Sequence, residues 1–211
     1  MVPSKEEWTK ALAAKQGEDV QKILSNATVA VFGLGGLGSN IAICLARAGV
    51  KKLILSDFDR VEITNLNRQQ YKARQLGELK AFALAENLRE IAPYVELECH
   101  AERITGENVV QIVGDACVVC EAFDRAEEKA MLVNAVLEKM PEKFLVAASG
   151  MAGFESANLI ETRRVSRRFF MCGDGRSDVN DGIGLVLSRV MVCAAHQAHM
   201  VVRILTGEFD A

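Results

Sequence analysis

The stretch Gly33-Leu34-Gly35-Gly36-Leu37-Gly38 decides the fold of this chain. It directly follows the run Ala27-Thr28-Val29-Ala30-Val31-Phe32, whose apolar character is typical of a strand buried on both faces. A helix is predicted after it, from about Ser39 to Ala48, with Gly49 as its end. A strand, a glycine-rich turn and a helix in this order predict the nucleotide-binding start of a Rossmann-like fold.

Further strand patterns follow along the chain, most of them separated by helical patterns. They cover residues 52–56, 95–99, 116–120 and 143–148. This alternation predicts an α/β fold that is Rossmann-like, with a mainly parallel sheet, helices on both faces and an N-terminal helical segment over the first 25 residues. Residues 158–162 are expected to add an antiparallel strand, and residues 163–181 to form a long loop. No linker or repeat interrupts the chain, so we expect a single domain over residues 1–211.

Composition narrows the functional class. The 211 residues carry a net charge of −3, which gives no electrostatic footprint for nucleic acid. Six cysteines are too few for a disulfide scaffold, and no secretory signal is recognised, so a cytoplasmic protein with reduced thiols is expected. Residues 182–205 are long enough to span a membrane, but Arg189 and Arg203 favour a buried amphipathic helix instead.

The glycine turn carries the first functional signal. Gly33, Gly35 and Gly38 match the G-x-G-x-x-G spacing, which lets the backbone approach a phosphate and points the N–H groups of a helix start at it. Asp57 ends the second predicted strand, where an acidic side chain binds ribose hydroxyls. The motif predicts nucleotide binding, but it does not distinguish NAD from ATP.

Three charged residues favour a triphosphate with magnesium. Arg68 lies in a polar segment beyond the second strand, Lys80 in the first turn of a helix predicted over residues 77–92, and Asp124 after the fourth strand. A cation on the buried side of a helix start is disfavoured by the helix dipole unless it meets an anion. Each residue also has an ordinary interpretation. Arg68 is then a solvated loop residue, Lys80 snorkels to solvent, and Asp124 forms a capping box with Glu127.

Taken together, these residues resemble the ThiF/MoeB/HesA family, the bacterial relatives of ubiquitin-activating enzymes. The resemblance covers about Val29 to Gly150 and is greatest for the short ThiF-like proteins of thiamine biosynthesis. Its motifs are Gly33-x-Gly-Gly-x-Gly38, Asp57-Phe58-Asp59, Asn65-x-Asn67-Arg68-Gln69, Lys80 and Phe123-Asp124.

The resemblance implies an adenylyltransferase that acts as a homodimer. Its expected substrate is the C-terminal glycine carboxylate of a small ubiquitin-like sulfur-carrier protein, ThiS-like and ending in Gly-Gly, which ATP and Mg²⁺ activate with release of pyrophosphate. The implied roles are as follows: Asp57 for the ribose, Gly36 for the phosphate turn, Asn65, Arg68 and Lys80 for the phosphates, Asp124 for Mg²⁺, and Asp59, Asn67 and Gln69 among the other nucleotide-binding residues.

The chain departs from the family in its cysteines. Members often hold a structural zinc with two C-x-x-C pairs, whereas this chain has one, Cys117 and Cys120, within a predicted strand. Residues three apart on a strand point to opposite faces, about 10 Å apart, so we predict two core cysteines and no structural zinc. Cys172, in the predicted loop, is the exposed-looking candidate for a covalent bond to the carrier, although an ordinary loop thiol is the favoured interpretation.

A second departure concerns arginine. Family members tend to extend an N-terminal arginine to the partner subunit's ATP, but no arginine precedes Arg47 here, so Lys10 or Lys15 has to take that role if it exists. The pairs at 163–164 and 167–168 are expected to form a solvated face or to dock an acidic carrier surface. Two rivals remain from the residues: an NAD-dependent oxidoreductase and a non-catalytic module that binds nucleotide or carrier.

Overall fold

The computed structural model describes residues 2–179 and 182–211 and shows an α/β fold. Its strands are β1 Thr28–Phe32, β2 Lys52–Ser56, β3 Glu96–His100, β4 Val118–Glu121, β5 Phe144–Ala148, β6 Glu161–Ser166 and β7 Phe169–Gly173. Its α-helices are α1 Lys5–Gln16, α2 Glu18–Leu24, α3 Gly36–Ala48, α4 Lys80–Ile91, α5 Val109–Val113, α6 Ala126–Lys139 and α7 Leu187–Leu205.

These strands form one sheet in the order β3-β2-β1-β4-β5-β7-β6. All of its neighbouring strands pair in parallel except β6, which pairs antiparallel with β7. The order reverses direction between β1 and β4, and open α/β sheets bind ligands beyond the carboxyl ends of the strands at such a switch point. The predicted fold class is confirmed.

The sheet separates two hydrophobic cores. In β1, Val29 and Val31 belong to the core shared with α3, α4 and α7, whereas Ala30 and Phe32 belong to the core shared with α5 and α6. All four side chains are fully buried. Successive strand residues point to opposite faces, so a strand covered on both sides must be apolar throughout, as this one is.

Local signals explain several element ends. The side chain of Ser4 accepts a hydrogen bond from the backbone N–H of Glu7, and the Glu7 carboxylate accepts one from that of Ser4, which caps α1. Gly17, at φ +96°, separates α1 from α2, so the N-terminal segment is two helices. Gly49 takes the left-handed conformation that ends α3.

The prediction of a long loop over residues 163–181 was wrong. The antiparallel strand continues to Ser166, and β7 follows it as the second arm of a hairpin. The signal is weak because β6 is an edge strand with a largely exposed face, so its residues are mostly polar. Residues 180 and 181, at the end of the predicted loop, lie outside the described residues. Among those described, no helix is both long and apolar enough to cross a membrane.

Candidate functional site

The glycine turn joins β1 to α3 under tight steric constraint. Gly33 has φ +81°, and a Cβ there would lie 2.7 Å from the carbonyl oxygen of Ala122. A Cβ on Gly38 would lie 1.8 Å from the carbonyl oxygen of Gly33. Both positions therefore require glycine, one because of its backbone conformation and contact with the β4 loop, the other because the helix packs directly on the turn.

The start of α3 is open to an anion. The helix begins at Gly36, three residues earlier than predicted, and no side chain caps it because Gly35 occupies the cap position. The N–H groups of a first helical turn have no partner within the helix and carry a partial positive charge. The start of this helix thus has the chemistry of a phosphate site.

Asp57 is tied to this turn. One carboxylate oxygen accepts a hydrogen bond of 2.7 Å from the Leu34 backbone N–H, and the other accepts one of 2.8 Å from the Asp59 backbone N–H. Tyr71 donates its hydroxyl to the Leu34 carbonyl at 2.7 Å. Burial raises the pKa of Asp57, while the nearby ammonium of Lys80 opposes that rise.

Lys80 lies at the start of α4, where the sequence predicted a cation on the buried face. The residue is 7% exposed, so it does not snorkel to solvent. Its Nζ is 3.1 Å from an Asp59 carboxylate oxygen and 4.0 Å from one of Asp57. The lysine is thus paired with acids at the carboxyl end of β2, beside the glycine turn.

The polar segment after β2 crosses the start of α3. A Cβ on Gly36 would lie 3.5 Å from Cγ of Arg68, so the stem of Arg68 passes close to the helix start. Its guanidinium donates to the Thr64 carbonyl at 2.9 Å and to the side chain of Asn67 at 2.8 Å. Asn65 accepts a hydrogen bond of 3.0 Å from the Glu62 backbone N–H, which shapes the short turn before Arg68.

Gln69 carries an unsatisfied buried polar atom. The residue is 8% exposed, and its Oε1 has no hydrogen-bond partner among the described residues. Its Nε2 lies 3.7 Å from the position that a Cβ on Gly35 would take. Buried polar atoms are nearly always satisfied. An orphaned acceptor beside the glycine turn therefore fits a site that takes a ligand with a hydrogen-bond donor.

Two residues that the sequence did not single out hold the segment in place. Asn40 is buried in α3, and its amide nitrogen donates to the carbonyls of Gly36 at 2.6 Å and Arg68 at 3.2 Å. The side chain of Gln70 donates to Asn40 Oδ1 at 2.7 Å. The pattern gave no signal for this, because the contacts join residues about 30 positions apart.

Asp124 is exposed after β4 and does not cap a helix. Helix α6 begins at Ala126 with Arg125 at the cap position and no side-chain cap, so the predicted capping box with Glu127 was wrong. The helix starts one residue too late for Asp124 to reach its first N–H groups. The Asp124 carboxylate therefore accepts no hydrogen bond from the first N–H groups of α6.

Glu121 and Lys129 form an ion pair that the sequence analysis missed. Glu121 is fully buried at the end of β4, and Lys129 Nζ lies 3.0 Å from its Oε1 in hydrogen-bonding geometry and 2.9 Å from its Oε2. Burial raises the pKa of Glu121, and Lys129 opposes that rise. A glutamate within an otherwise apolar strand was the available signal.

Two predictions about cysteines were wrong. Cys172 is not in an exposed loop: it is fully buried in β7, and burial raises the pKa of its thiol to about 11. Cys117 is not a core residue, since it precedes β4 and is exposed, whereas Cys120 is buried as predicted. Within residues 2–179 and 182–211, no group of three or more His, Cys, Asp or Glu side chains is placed to hold a metal ion.

The N-terminal lysines are far from this chain's own glycine turn. Gln16, at the end of α1, donates to the carbonyl of Ala48 at 2.8 Å, at the opposite end of α3. A helix of 13 residues is about 20 Å long. Lys10 and Lys15 are exposed on α1, so any contact they make with a nucleotide has to be on another subunit.

The arginine pairs lie at the edge of the sheet that β6 forms. They belong to the β6–β7 hairpin, with Arg164 placed over the ring of Phe170 at 5.8 Å and Arg168 over that of Phe144 at 4.7 Å. Two further strands, β4 and β5, separate this hairpin from β1. It is therefore a surface distinct from the glycine turn.

A second buried ion pair holds the chain after β5. Arg189 and Asp174 are 2.6 Å apart with both side chains buried, and Arg189 also donates to the carbonyls of Ala152, Glu155 and Ser156. Burial raises the pKa of Asp174, but hydrogen bonds from the backbone of residues 176 and 177 and from Arg189 outweigh it and bring the pKa to about 2.

Comparison with known sequences identifies the family of the chain. The sequence model of the ThiF family matches residues 9–210 of this chain. The chain is 34% identical over 122 residues to the sulfur carrier protein adenylyltransferase of Thermus thermophilus, covering 57% of this chain and 45% of that protein. It is 33% identical over 139 residues to protein HesA of a Nostoc species, covering 65% and 55%. The alignments thus span about half the length of these relatives.

Solved structures share the fold across nearly the whole chain. The Escherichia coli tRNA N6-threonylcarbamoyladenosine dehydratase TcdA in complex with ATP matches with a TM-score of 0.86 and 22% identity, covering 98% of this chain and 97% of that one. E. coli MccB with ATP matches with a TM-score of 0.69 and 21% identity, covering 88% and 57%. At such identities the likeness concerns the fold alone.

Proposed function

Because the chain belongs to the ThiF family, we propose that it binds ATP with Mg²⁺ at the glycine turn and adenylates the C-terminal carboxylate of a small ubiquitin-like sulfur-carrier protein. The single observation that carries the proposal is the convergence of charge at one edge of the sheet. The uncapped start of α3, Arg68 and the buried Lys80 surround the carboxyl ends of β1 and β2. Such an array suits a polyphosphate better than a dinucleotide.

We assign each residue of the site a role toward the nucleotide. The first-turn N–H groups from Gly36 onward are assigned to the phosphates, and Asp57 is assigned to the ribose hydroxyls. Asn65 and Arg68 are assigned to the phosphates, and the unsatisfied Oε1 of Gln69 accepts from a bound ligand. Asp59 and Asn67 support this set through their contacts with Lys80 and Arg68.

The chemistry requires little beyond placement and charge. The carrier's carboxylate is itself the nucleophile: an oxygen of it bonds to the α-phosphorus of ATP, and the bond to pyrophosphate breaks. Lys80 leaves Asp59 for the phosphates and, with Arg68, balances the negative charge on the leaving group. Asp124 is assigned to hold Mg²⁺, which neutralises phosphate charge when bound.

The partner and the assembly are also part of the proposal. The Thermus relative is named for a sulfur carrier protein, which supports a sulfur carrier as the substrate. We propose that this carrier is ThiS-like, ends in Gly-Gly and serves thiamine biosynthesis. From the resemblance to the family we propose a homodimer, in which the exposed Lys10 or Lys15 approaches the nucleotide of the partner subunit. We place this activity in the cytoplasm.

The adenylated carrier is the product to detect. The protein is incubated with ATP, Mg²⁺ and a ThiS-like carrier, and the carrier's intact mass is measured. The proposal predicts a gain of one AMP, absent when the carrier's terminal carboxylate is replaced by an amide. Tight binding of NAD(H) without binding of ATP in calorimetry supports the oxidoreductase instead, and ATP binding without product supports a non-catalytic module.

A further inference from the structure

The ion pair of Glu121 and Lys129 has no part in the adenylation chemistry, yet it lies beside the site. Glu121 ends β4 with a side chain 1% exposed, and Lys129, the fourth residue of α6, reaches it. Gln197 of α7 donates to the Glu121 carbonyl at 3.0 Å, so the strand end is held from the other face of the sheet as well.

Both members of the pair also bind one residue of the backbone. The Phe123 N–H donates to Glu121 Oε1 at 2.8 Å, and Lys129 Nζ donates to the Phe123 carbonyl at 3.0 Å. That carbonyl belongs to the peptide that leads into Asp124. Hydrogen bonds to charged partners are roughly twice as strong as neutral ones. The backbone just before Asp124 is therefore held at both the N–H and the carbonyl of Phe123.

Fold stability alone is a weak explanation for this buried ion pair. A buried ion pair loses hydration, and well-packed apolar side chains often stabilise a core as well or better. Here both charged side chains form hydrogen bonds to the backbone of Phe123, which lies outside both strand and helix. The same segment packs against the glycine turn, since a Cβ on Gly33 would lie 2.7 Å from the Ala122 carbonyl oxygen and 2.9 Å from Phe123 N.

We propose that Glu121 and Lys129 are positioning residues, which hold Phe123 so that the Asp124 carboxylate meets the metal ion of bound ATP. The inference rests on the proposed function, because it concerns the residue assigned there to Mg²⁺. If so, loss of the Glu121–Lys129 ion pair weakens ATP binding in the presence of Mg²⁺ and leaves ATP binding without Mg²⁺ nearly unchanged.

Lys129→Met tests this, with Lys139→Met as the matched control. Lys139 is also on α6 and also donates to a backbone carbonyl, that of Gly106 at 2.6 Å, but it is exposed and away from the site. ATP binding is measured by calorimetry over a series of Mg²⁺ concentrations and in EDTA. The Mg²⁺ concentration that gives half of the maximal gain in ATP affinity should rise about 10- to 100-fold in Lys129→Met. It should stay unchanged in Lys139→Met.

A double-mutant cycle separates positioning from a general loss of structure. If Lys129 acts through Asp124, then Lys129→Met adds no further Mg²⁺ shift to Asp124→Ala. Additive effects, or a Lys129→Met protein that behaves like the Lys139→Met control, overturn the inference. Should Lys129→Met not fold, Glu121→Gln combined with Lys129→Met removes both charges together, leaves no unpaired buried charge, and is measured in the same way.

Different results would overturn the magnesium role of Asp124 and the positioning role of Glu121 and Lys129. A wild-type protein whose ATP binding ignores Mg²⁺ overturns the magnesium role of Asp124 and this inference with it. The positioning role alone is overturned if ATP binding by the wild type depends on Mg²⁺ and this dependence is lost in Asp124→Ala but kept in Lys129→Met.

Discussion

The carboxylate of Asp57 accepts a 2.7 Å hydrogen bond from the backbone N–H of Leu34, so the acid at the end of β2 is bonded to the glycine turn at the end of β1. The two strands are neighbours in the sheet. The acid that the proposal assigns to the ribose and the turn that it assigns to the phosphates are therefore held together by a hydrogen bond of the protein itself.

The steric demand at Gly38 gives a prediction about stability. Gly38→Ala puts a methyl group 1.8 Å from the Gly33 carbonyl oxygen, so the turn and helix must separate. We expect a loss of at least about 1–3 kcal/mol in the free energy of unfolding, measured with urea. Gly35→Ala is the control, since its nearest contact is at 3.7 Å and it should unfold at nearly the wild-type urea concentration. Equal stability of the two variants contradicts the close packing.

Lys80 and Arg68 give a prediction about activity. Lys80→Ala and Arg68→Ala each remove a cation assigned to the phosphates, and pyrophosphate exchange should fall roughly 100- to 1,000-fold while the far-ultraviolet circular dichroism is unchanged. Arg74→Ala serves as the control, because Arg74 pairs with Glu86 on the surface at 3.0 Å. Retention of activity by both site variants would show that the site is misplaced.

The cysteines give a prediction about chemical reactivity. Burial raises the pKa of Cys172 to about 11 and that of Cys193 to about 12, and both thiols are fully buried, whereas Cys117 is exposed. Iodoacetamide at neutral pH should modify Cys117 and leave the other two intact, as mapped by mass spectrometry. All three should react in denaturant. Modification of native Cys172 at the rate of Cys117 would restore it as a candidate for a covalent bond to the carrier.

The pair of Arg189 and Asp174 gives a prediction about pH. Arg189→Met leaves a buried carboxylate unpaired and should reduce the free energy of unfolding by about 3–5 kcal/mol at neutral pH. The pKa of Asp174 is lowered to about 2 in the folded state, so its contribution is present above its unfolded value of about 4 and is lost as pH falls toward 2. The difference between wild type and variant should therefore shrink over that interval.

The control for this pair is Arg176→Met. Arg176 faces Glu155 at 3.3 Å with both side chains more than half exposed, so its loss should change stability by less than about 1 kcal/mol. A difference between wild type and Arg189→Met that stays constant from pH 5 to pH 2 would contradict the assignment to Asp174.

The sequence predicted those features that follow from local pattern. The apolar strand before Gly33, the amphipathic placement of Lys80 and the glycine at position 49 each have a short-range physical cause, and the structure contains each of them. The hairpin of β6 and β7 was missed because an exposed edge strand need not be apolar, and its polar residues resemble a loop.

The supporting contacts of the site depend on distant residues. Asn40 bonds to the Arg68 carbonyl, and Lys129 reaches back to Glu121, so neither has a periodic signal of its own. The capping box at Asp124 failed by one residue, which is within the ordinary uncertainty of a helix end. Burial of Cys172 followed from the unpredicted β7, since a loop was expected where a covered strand lies.

The most direct test of the central claim is pyrophosphate exchange. The wild-type protein is incubated with ATP, Mg²⁺, labelled pyrophosphate and a ThiS-like carrier ending in Gly-Gly, and label entering ATP is counted. We predict exchange that requires both the carrier and its free terminal carboxylate, and that falls roughly 100- to 1,000-fold in Lys80→Ala. Absence of exchange with every Gly-Gly carrier supplied, from a folded protein, would contradict the account.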